Sequence, residues 1–287
     1  MNRNAVPVFF SAQMVAENAS SFSPSAGKPA VVAASWRRLP VLLQWHEPMP
    51  ATRGQIALAH DPTFVDDVLA CRRPNGFGNA SAAVASSLPF TTGALLSAAR
   101  HVLTSRTAFA AAPCSGFHHA GHKSAGGFCT FNGLMVTAAA LRAEGLAARV
   151  GILDCDMHYG DGTDDIIEAL HASSWIEHFT AGASYHLPPD APGFFEALPG
   201  VLRSMSGCDV VLYQAGADPH VDDPLGGWLT TDELLRRDRL VFAGLRALGI
   251  PTVWNLAGGY QREPDGSIPK LLAIHDNTML ACAEVMG

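Results

Sequence analysis

The densest group of chemically reactive side chains in this sequence lies in residues 154–162, which read DCDMHYGDG. The group follows a short apolar run, residues 149–153, of the kind that forms a strand buried on both faces. Asp154, Asp156 and His158 are spaced so that their side chains lie on one face of an extended segment. Two carboxylates and an imidazole this close together favour a bound cation, which offsets their mutual repulsion. The segment therefore predicts a metal site, with surface carboxylates that cap the next helix as the alternative.

Asp218 follows a second apolar run, residues 210–213, at a corresponding position. In open α/β sheets ligands bind at the carboxyl ends of the parallel strands, so we expect Asp218 to join Asp156 and His158. Three protein ligands that leave coordination positions open are typical of a catalytic zinc site. Three polar residues after this strand are interpreted as turn and loop residues, namely His220, Asp222 and Asp223.

A tyrosine follows a third apolar run, residues 252–256, in the sequence Ala-Gly-Gly-Tyr. Gly258 and Gly259 allow the backbone to turn with positive φ or to approach a ligand closely. Tyr260 could then place its hydroxyl in the site as a hydrogen-bond donor. A partly buried tyrosine beside a turn is the alternative interpretation of the same residues.

Two adjacent histidines, His118 and His119, lie upstream in a loop flanked by glycine and serine. In a chain with 12 histidines such a pair also arises by chance, so it indicates little alone. Neighbouring histidines in a loop need partners, and Asp154 and Asp161 are carboxylates that could each bind one imidazole and raise its basicity. These carboxylates make the pair a candidate part of the site.

The elements that must position these groups alternate along the chain between strands and helices. Besides the three strands, apolar periodicity and capping signals predict helices over residues 61–69, 93–105, 131–146, 163–171, 230–248 and 270–285. Residues 1–50 are expected to be irregular segments that wrap the surface, and the uncharged residues 74–92 to be a long loop. The alternation predicts one α/β domain over residues 1–287, with a parallel sheet between two layers of helices.

The composition restricts the class of protein. Of 287 residues 48% are hydrophobic and 16% charged, which indicates a large buried core and excludes a disordered chain. The net charge of −7 and the lack of a basic run exclude a nucleic-acid partner. No apolar stretch is long enough for a membrane helix, and residues 5–10 are too short for a signal-peptide core. Six scattered cysteines are typical of buried thiols in a reducing compartment, so a cytoplasmic protein is expected.

Four segments together resemble one family, the zinc-dependent histone deacetylase and acetylpolyamine amidohydrolase superfamily. In chain order they are His118-His119-Ala with Gly127-Phe128-Cys129, Asp154-x-Asp156-x-His158-Tyr-Gly-Asp161-Gly, Gly216-Ala-Asp218 with Asp223-Pro224-Leu-Gly, and Gly258-Gly259-Tyr260. Their order, spacing and positions at strand ends agree with the family from about residue 56 to residue 262. The resemblance implies an arginase/deacetylase-like αβα fold with a single catalytic domain.

The resemblance also implies two kinds of metal. One Zn²⁺ per chain would be held by Asp156, His158 and Asp218. A site for a monovalent cation, K⁺ or Na⁺, would lie beside it. The residues of that second site would be Asp154, Asp156, His158, Ser184 and Tyr185.

Catalytic roles follow from the same resemblance. His118 and His119 would transfer protons. Asp154 and Asp161 would hold their rings, and Tyr260 would polarise the carbonyl of the substrate. The implied reaction is hydrolysis of the acyl amide of a lysine or of a small amine such as an acetylpolyamine.

The implied substrate tunnel consists of one aromatic residue and three glycines, namely Gly127, Phe128, Gly258 and Gly259. The sequence departs from the family between Ser184 and Asp218, where only 33 residues intervene. Part of the usual tunnel wall is therefore absent or rebuilt, with Pro192 to Phe195 as its remnant. Residues 71–100 contain no carboxylate, so the aspartate with which eukaryotic deacetylases grip a peptide is missing there. Tyr159 stands where the family often has a second histidine, and we expect it outside the metal ligands.

Two other classes of protein share part of this pattern. A ureohydrolase such as an arginase has the same architecture but binds two manganese ions through a D-A-H-x-D run, which this sequence lacks. Ureohydrolases also have no counterpart of Tyr260. A non-catalytic acyl-amine binding protein would normally have lost a metal ligand, a histidine of the pair or the tyrosine, and all of them are present here.

Overall fold

The computed structural model describes residues 5–16 and 21–286. Its centre is a seven-stranded β-sheet in which neighbouring strands are parallel. Its strands are β1 Val6–Phe9, β2 Leu43–His46, β3 Phe109–Ala112, β4 Val150–Asp154, β5 Ile176–Thr180, β6 Val210–Gly216 and β7 Thr252–Ala257. Their order in space is β2-β1-β3-β7-β6-β4-β5. The three strands predicted from the sequence, β4, β6 and β7, are therefore neighbours, and their carboxyl ends lie side by side.

Helices cover both faces of this sheet. Within the described residues they are α1 Lys28–Trp36, α2 Arg53–Ile56, α3 Pro62–Leu69, α4 Ala82–Ser105, α5 Gly133–Ala143, α6 Asp161–Ala169, α7 Ala191–Ser204, α8 Thr231–Ala247 and α9 Pro269–Met286. One hydrophobic core contains apolar residues of α2 to α6, and a second core contains those of α1, α7, α8 and α9. Strand residues alternate between them: Ile152 belongs to the first core and Leu153 to the second. This three-layer αβα arrangement confirms the predicted fold class.

Two helices begin where the capping signals predict. Asp61 accepts hydrogen bonds from the amides of Thr63 and Phe64 at the start of α3. Thr230 and Glu233 form the predicted capping box at the start of α8. Local polar contacts thus set both helix starts.

The helix α4 begins at Ala82, so the prediction of a loop over residues 74–92 is wrong for the second half of that segment. Ser81 caps the helix by accepting a hydrogen bond from the amide of Val84. Pro89 lies inside it, although proline removes a helical hydrogen bond. The lack of charge reflects burial, because α4 packs against β3 and α5. By length and composition α4 is the one described helix that could cross a membrane, but 61% of its apolar window is buried, as in a core helix.

The prediction of irregular structure for residues 1–50 is also wrong for three segments, because β1, α1 and β2 lie there. The strand β1 has four residues, one of them Pro7, and neither its length nor its composition signals a strand. The strand β3 is not predicted either, since it reads Phe-Ala-Ala-Ala and alanine is depleted in strands. Residues 1–4, 17–20 and 287 lie outside the described residues, and so do the parts of the predictions that cover them.

Candidate metal and catalytic site

Asp156, His158 and Asp218 lie together beyond the carboxyl ends of β4 and β6. One ligand atom of each residue lies within 4.8 Å of the others. His158 Nδ1 is 3.1 Å from Asp218 Oδ2 and 3.3 Å from Asp156 Oδ1. Both carboxylates are buried, whereas a third of the imidazole is exposed. These three residues, called the metal group below, form a cluster that could hold a metal ion and is partly accessible to solvent.

Without a cation, bound protons offset the charges of the metal group. Burial and the neighbouring Asp156 raise the pKa of Asp218 to about 7. Hydrogen bonds with Asp156 and Asp218 raise the pKa of His158 to about 10, against the effect of burial. A divalent cation would take the place of these protons, since carboxylate oxygen and imidazole nitrogen are common ligands of zinc. The donor set therefore fits Zn²⁺, as it fits other divalent transition metals.

Backbone contacts hold the segments that carry the metal group. The amide of Met157 donates to Asp218 Oδ1 over 3.1 Å, which ties the end of β4 to the end of β6. The amide of His158 donates to Asp156 Oδ1 over 3.0 Å. Gly258 has a φ of +49° and lies so close that a Cβ atom would fall 2.1 Å from Asp218 Cγ. Only glycine fits at this position.

His118 and Asp154 form a buried pair next to the metal group. His118 Nδ1 lies 2.7 Å from Asp154 Oδ2, and its Nε2 lies 3.6 Å from Asp156 Oδ1. Asp154 Oδ1 also accepts hydrogen bonds from the amide of Asp156 and from Gln214 Nε2, each at 3.1 Å. Burial alone would lower the pKa of His118, but Asp154 and Asp156 together raise it to about 9. The surrounding carboxylates thus stabilise a positive charge on His118.

His119 and Asp161 form a second pair, closer to the solvent. His119 Nδ1 is 2.6 Å from Asp161 Oδ1, and the two side chains are 23% and 62% exposed. Burial and the charge of His118 lower the pKa of His119. The centroid of its ring lies 4.1 Å from that of His118 and 5.8 Å from that of His158. Gly127, predicted for the tunnel, packs against the same ring.

Tyr260 is buried close to the metal group. Burial, with the charges of Asp218 and Asp156, raises the pKa of Tyr260, so its hydroxyl keeps its proton. Its amide donates to Asp223 Oδ2 over 2.8 Å. Asp223 Oδ1 accepts from the amide of Leu225, as its interpretation as a turn residue requires. That interpretation is incomplete, because the same carboxylate also holds the backbone of Tyr260.

Aromatic rings pack around Tyr260. Phe128, predicted for the tunnel, lies 5.6 Å from it between ring centroids. Phe22, from the segment before α1, stacks on Tyr260 at 5.5 Å and meets Phe128 at 5.5 Å. Half of the Phe22 side chain remains exposed, at 52%. Phe22 is missed by the sequence analysis because no local pattern connects it with residues more than a hundred positions away.

The predicted remnant of the tunnel wall, Pro192 to Phe195, lies elsewhere, and that prediction is wrong. These residues belong to α7, and both phenylalanines are buried in the hydrophobic core. Phe194 packs on Trp228 with 4.9 Å between ring centroids. The helix is amphipathic, so its large apolar side chains turn towards the core.

Two of the residues predicted for the monovalent cation, Ser184 and Tyr185, follow a segment that touches the metal group. Gly182 packs against the backbone carbonyl of His158. Ser184, two residues later, is exposed, and the ring of Tyr185 packs on the core. Asp154, which is predicted both for this site and as the partner of His118, is within hydrogen-bond distance of His118 Nδ1. The monovalent site stays a prediction.

A buried lysine next to the metal group is also missed by the sequence analysis. Lys28, the first residue of α1, donates through Nζ to the carbonyl of Gly258. Burial lowers its pKa to about 8, against the attraction of Asp218 and Asp156. Lys28 thus brings a positive charge near two buried carboxylates. One lysine ahead of an apolar helix gives no local signal, since most lysines are at the surface.

Tyr159 and His220 have partners outside the metal group, as the sequence suggests. The hydroxyl of Tyr159 donates to Asp164, and Tyr159 is 43% exposed. His220 Nδ1 is 3.0 Å from Gln261 Nε2, and its Nε2 is 2.9 Å from Thr231 Oγ1. Tyr159 thus contacts α6, and His220 connects the segments that follow β6 and β7.

Comparison with solved structures identifies the same architecture. The crystal structure of acetylpolyamine aminohydrolase from Burkholderia pseudomallei aligns with a TM-score of 0.73 over 97% of this chain and 98% of that chain. The structure of the HDA15 HD domain aligns with a TM-score of 0.77 over 99% of this chain and 90% of that chain. Each is 21% identical to this chain, and the likeness shows a shared fold.

Sequence comparison extends this likeness to the family. An uncharacterized protein of Picosynechococcus is 29% identical over 245 residues, which cover 77% of this chain and 80% of that protein. The acetylpolyamine amidohydrolase of Burkholderia pseudomallei is 32% identical over 174 residues, which cover 51% of this chain and 49% of that protein. The chain thus spans about half the length of that enzyme. A family model described as the histone deacetylase domain matches residues 26–187, more than half of the sequence. A match of this length shows that the chain belongs to the histone deacetylase family.

Proposed function

We propose that this chain is a zinc-dependent amidohydrolase that hydrolyses the acyl amide of a lysine or of a small amine such as an acetylpolyamine. The metal group, with His119 and Tyr260 beside it, is the observation that carries the proposal. Membership in the family and the acetylpolyamine amidohydrolases among the relatives support the same class of reaction. The proposal includes a cytoplasmic location, which the free cysteines support.

One zinc ion would be held by Asp156, His158 and Asp218. When bound, zinc polarises a carbonyl oxygen and lowers the pKa of a water molecule towards 7. Among the residues that the structure describes, the metal group is the one set of His, Cys, Asp and Glu side chains arranged for a metal. This favours one metal per chain over the two of a ureohydrolase. A K⁺ or Na⁺ site belongs to the proposal as well, formed by Asp154, Asp156, His158, Ser184 and Tyr185.

The two histidines of the pair would have different roles during the reaction. His119 is more exposed than His118 and its ring lies next to His158, so it can reach a water or an amine at the accessible side of the metal group. Asp161 orients this ring through Nδ1. General acid–base groups of this kind contribute about 10²–10⁴-fold to the rate. His118, held by Asp154, would supply a positive charge.

Tyr260 would stabilise the substrate oxygen on which negative charge develops. Its hydroxyl keeps its proton and can donate a hydrogen bond to that oxygen. Loss of one such donor typically costs about 2.7–4 kcal/mol in the transition state. Phe128 and the tunnel glycines, Gly127, Gly258 and Gly259, would line the path of the acyl-amine chain.

A chelator-controlled substrate screen tests the proposal. The zinc-loaded protein is incubated with acetyl-lysine peptides, acetylputrescine and longer acyl analogues, and the released amine is measured. We expect turnover of at least one class, loss of turnover after chelation and recovery with zinc. One zinc per chain without release from any substrate would indicate a binding protein, and two metals per chain a ureohydrolase.

A further inference from the structure

A buried arginine joins the ends of the two strands that carry the metal group. Arg237 of α8 is 1% exposed, and its Nη1 donates to the carbonyl oxygen of Gly216 over 2.7 Å and to that of Cys155 over 3.1 Å. Gly216 is the last residue of β6, and Cys155 directly follows β4. Asp156 is the next residue after Cys155, and Asp218 lies two residues after Gly216. The arginine therefore binds the backbone next to both carboxylates.

The guanidinium group acts where the pairing of the strands ends. The ladder between β4 and β6 ends with the pair Asp154 and Gln214, and the amide of Cys155 donates to the carbonyl of Gln214 over 3.1 Å. Beyond this pair the two segments still touch, because a Cβ on Gly216 would fall 2.5 Å from Asp156 Cα. Buried carbonyl groups need donors. One nitrogen of the arginine supplies a hydrogen bond to each segment.

The arginine is itself held by a buried carboxylate. Its Nε donates to Asp238 Oδ1 over 2.9 Å, and both side chains are 1% exposed. Tyr213 of β6 donates to the same carboxylate, and Thr278 Oγ1 of α9 donates to its Oδ2 over 2.6 Å. A buried ion pair is weak evidence for stability, because desolvation of two charges offsets their attraction. The contacts of Arg237 with the ends of β4 and β6 indicate instead that it positions these two segments.

We propose that Arg237 is a positioning residue for the metal group: by binding both carbonyl groups it sets the separation of Asp156 and Asp218. This inference rests on the metal site of the proposed function. A guanidinium presents its N–H donors in a rigid plane, whereas lysine carries its donors on one flexible atom. Groups that orient metal ligands from outside typically contribute 10–100-fold, in order of magnitude, to metal affinity or activity. Without the bridge the two strand ends lose a shared hydrogen-bond donor.

The test compares Arg237→Lys with Arg239→Lys. Arg239 lies on the same helix, but its guanidinium pairs with Glu284 at the surface. Chelator competition measures the dissociation constant for zinc, and the visible absorption spectrum of the cobalt-loaded protein reports the coordination geometry. We expect Arg237→Lys to weaken zinc binding by about 10–100-fold and to change the cobalt spectrum. Arg239→Lys leaves both unchanged, and thermal unfolding confirms that each variant is folded.

A second variant keeps the test decisive if Arg237→Lys does not fold. The double variant Tyr213→Phe, Thr278→Val removes two hydrogen bonds to Asp238 and no charge, so we expect a smaller change in the same direction. A folded Arg237→Lys protein with the zinc affinity and cobalt spectrum of the wild type overturns the proposal. If only the double variant folds, a zinc affinity and a cobalt spectrum equal to those of the wild type also overturn the proposal.

Metal binding and hydrolysis together separate this inference from the proposed function. If Arg237→Lys weakens zinc binding but the wild type hydrolyses no acyl amine, the positioning role stands and the hydrolase proposal fails. If the wild type is active and folded Arg237→Lys binds zinc as tightly, the positioning role fails alone. A wild-type protein that binds neither zinc nor cobalt overturns both.

Discussion

Two histidine–aspartate pairs stand side by side in this protein and differ in their surroundings. The side chains of His118 and Asp154 are 4% and 0% exposed, whereas those of His119 and Asp161 are 23% and 62% exposed. In both pairs Nδ1 lies within hydrogen-bond distance of the carboxylate, at 2.7 Å and 2.6 Å. Asp154 ends the strand β4, and Asp161 begins the helix α6.

Neighbouring charges shift the pKa values of the two histidines in opposite directions. Against the effect of burial, Asp154 and Asp156 raise the pKa of His118 to about 9. Burial and the charge of His118 lower the pKa of His119. A histidine that keeps its proton supplies a lasting charge, and one that is neutral near pH 7 can accept a proton. The comparison therefore divides the pair into an electrostatic member and a proton-transfer member.

The largest effect is expected at the accessible histidine. His119→Ala removes the group that can reach the substrate, so kcat should fall by about 10²–10⁴-fold. The measurement is kcat on the best substrate of the screen, with zinc content and thermal unfolding as controls for an intact protein. Near-normal turnover would remove His119 from the mechanism and would break the division of roles.

Tyr260→Phe should have the next largest effect. The variant keeps the ring that packs on Phe22 and Phe128 but loses the hydroxyl. We expect kcat to fall by about 10²–10³-fold, as for other lost oxyanion donors, with zinc content unchanged. Because both histidine–aspartate pairs stay intact in this variant, its loss of activity can be compared with the losses caused by changes in either pair. A rise in KM at constant kcat would assign the hydroxyl to substrate binding instead.

Substitution of Asp154 and of Asp161 tests the difference between the buried pair and the exposed pair directly. Asp154→Asn breaks a buried, charged pair, and we expect a loss of activity of about 10–100-fold and of unfolding free energy of about 3 kcal/mol. Asp161→Asn affects an exposed pair, so the unfolding free energy should change by less than about 1 kcal/mol. Activity and chemical denaturation are measured for both, with the exposed Glu168→Gln of α6 as control. Equal losses of unfolding free energy in the two variants would contradict the inferred difference between the buried pair and the exposed pair.

The smallest effect is expected at Phe22, which lies outside both pairs. Phe22→Ala removes a half-exposed aromatic ring beside Tyr260. If the substrate packs on this ring, the variant loses about 1 kcal/mol of substrate binding. We therefore expect KM to rise about fivefold at constant kcat. Steady-state kinetics measures both constants, and Leu42→Ala, at another exposed apolar residue, is the control. A fall in kcat at constant KM would show that Phe22 supports Tyr260 and does not contact the substrate.

The part of the fold that carries the site was predictable because its signals are local. The strands β4, β6 and β7 are apolar runs that end in polar residues, and the start of α8 has a capping box. Two other elements, β1 and α4, have local signals that mislead. Pro7 lies in β1 and Pro89 in α4, and in both cases tertiary packing outweighs the preference of the residue.

The sequence by itself determined which chemistry is available. The spacing of Asp156 and His158 along one extended segment brings a carboxylate and an imidazole to the same strand end, whatever surrounds them. Only the tertiary structure decided that Arg237 bridges two strand ends and that His118 is buried while His119 is partly exposed. Strand order and helix packing bring together segments that are far apart along the chain. Burial, which shifts pKa values, is a property of the whole folded chain and of no short segment.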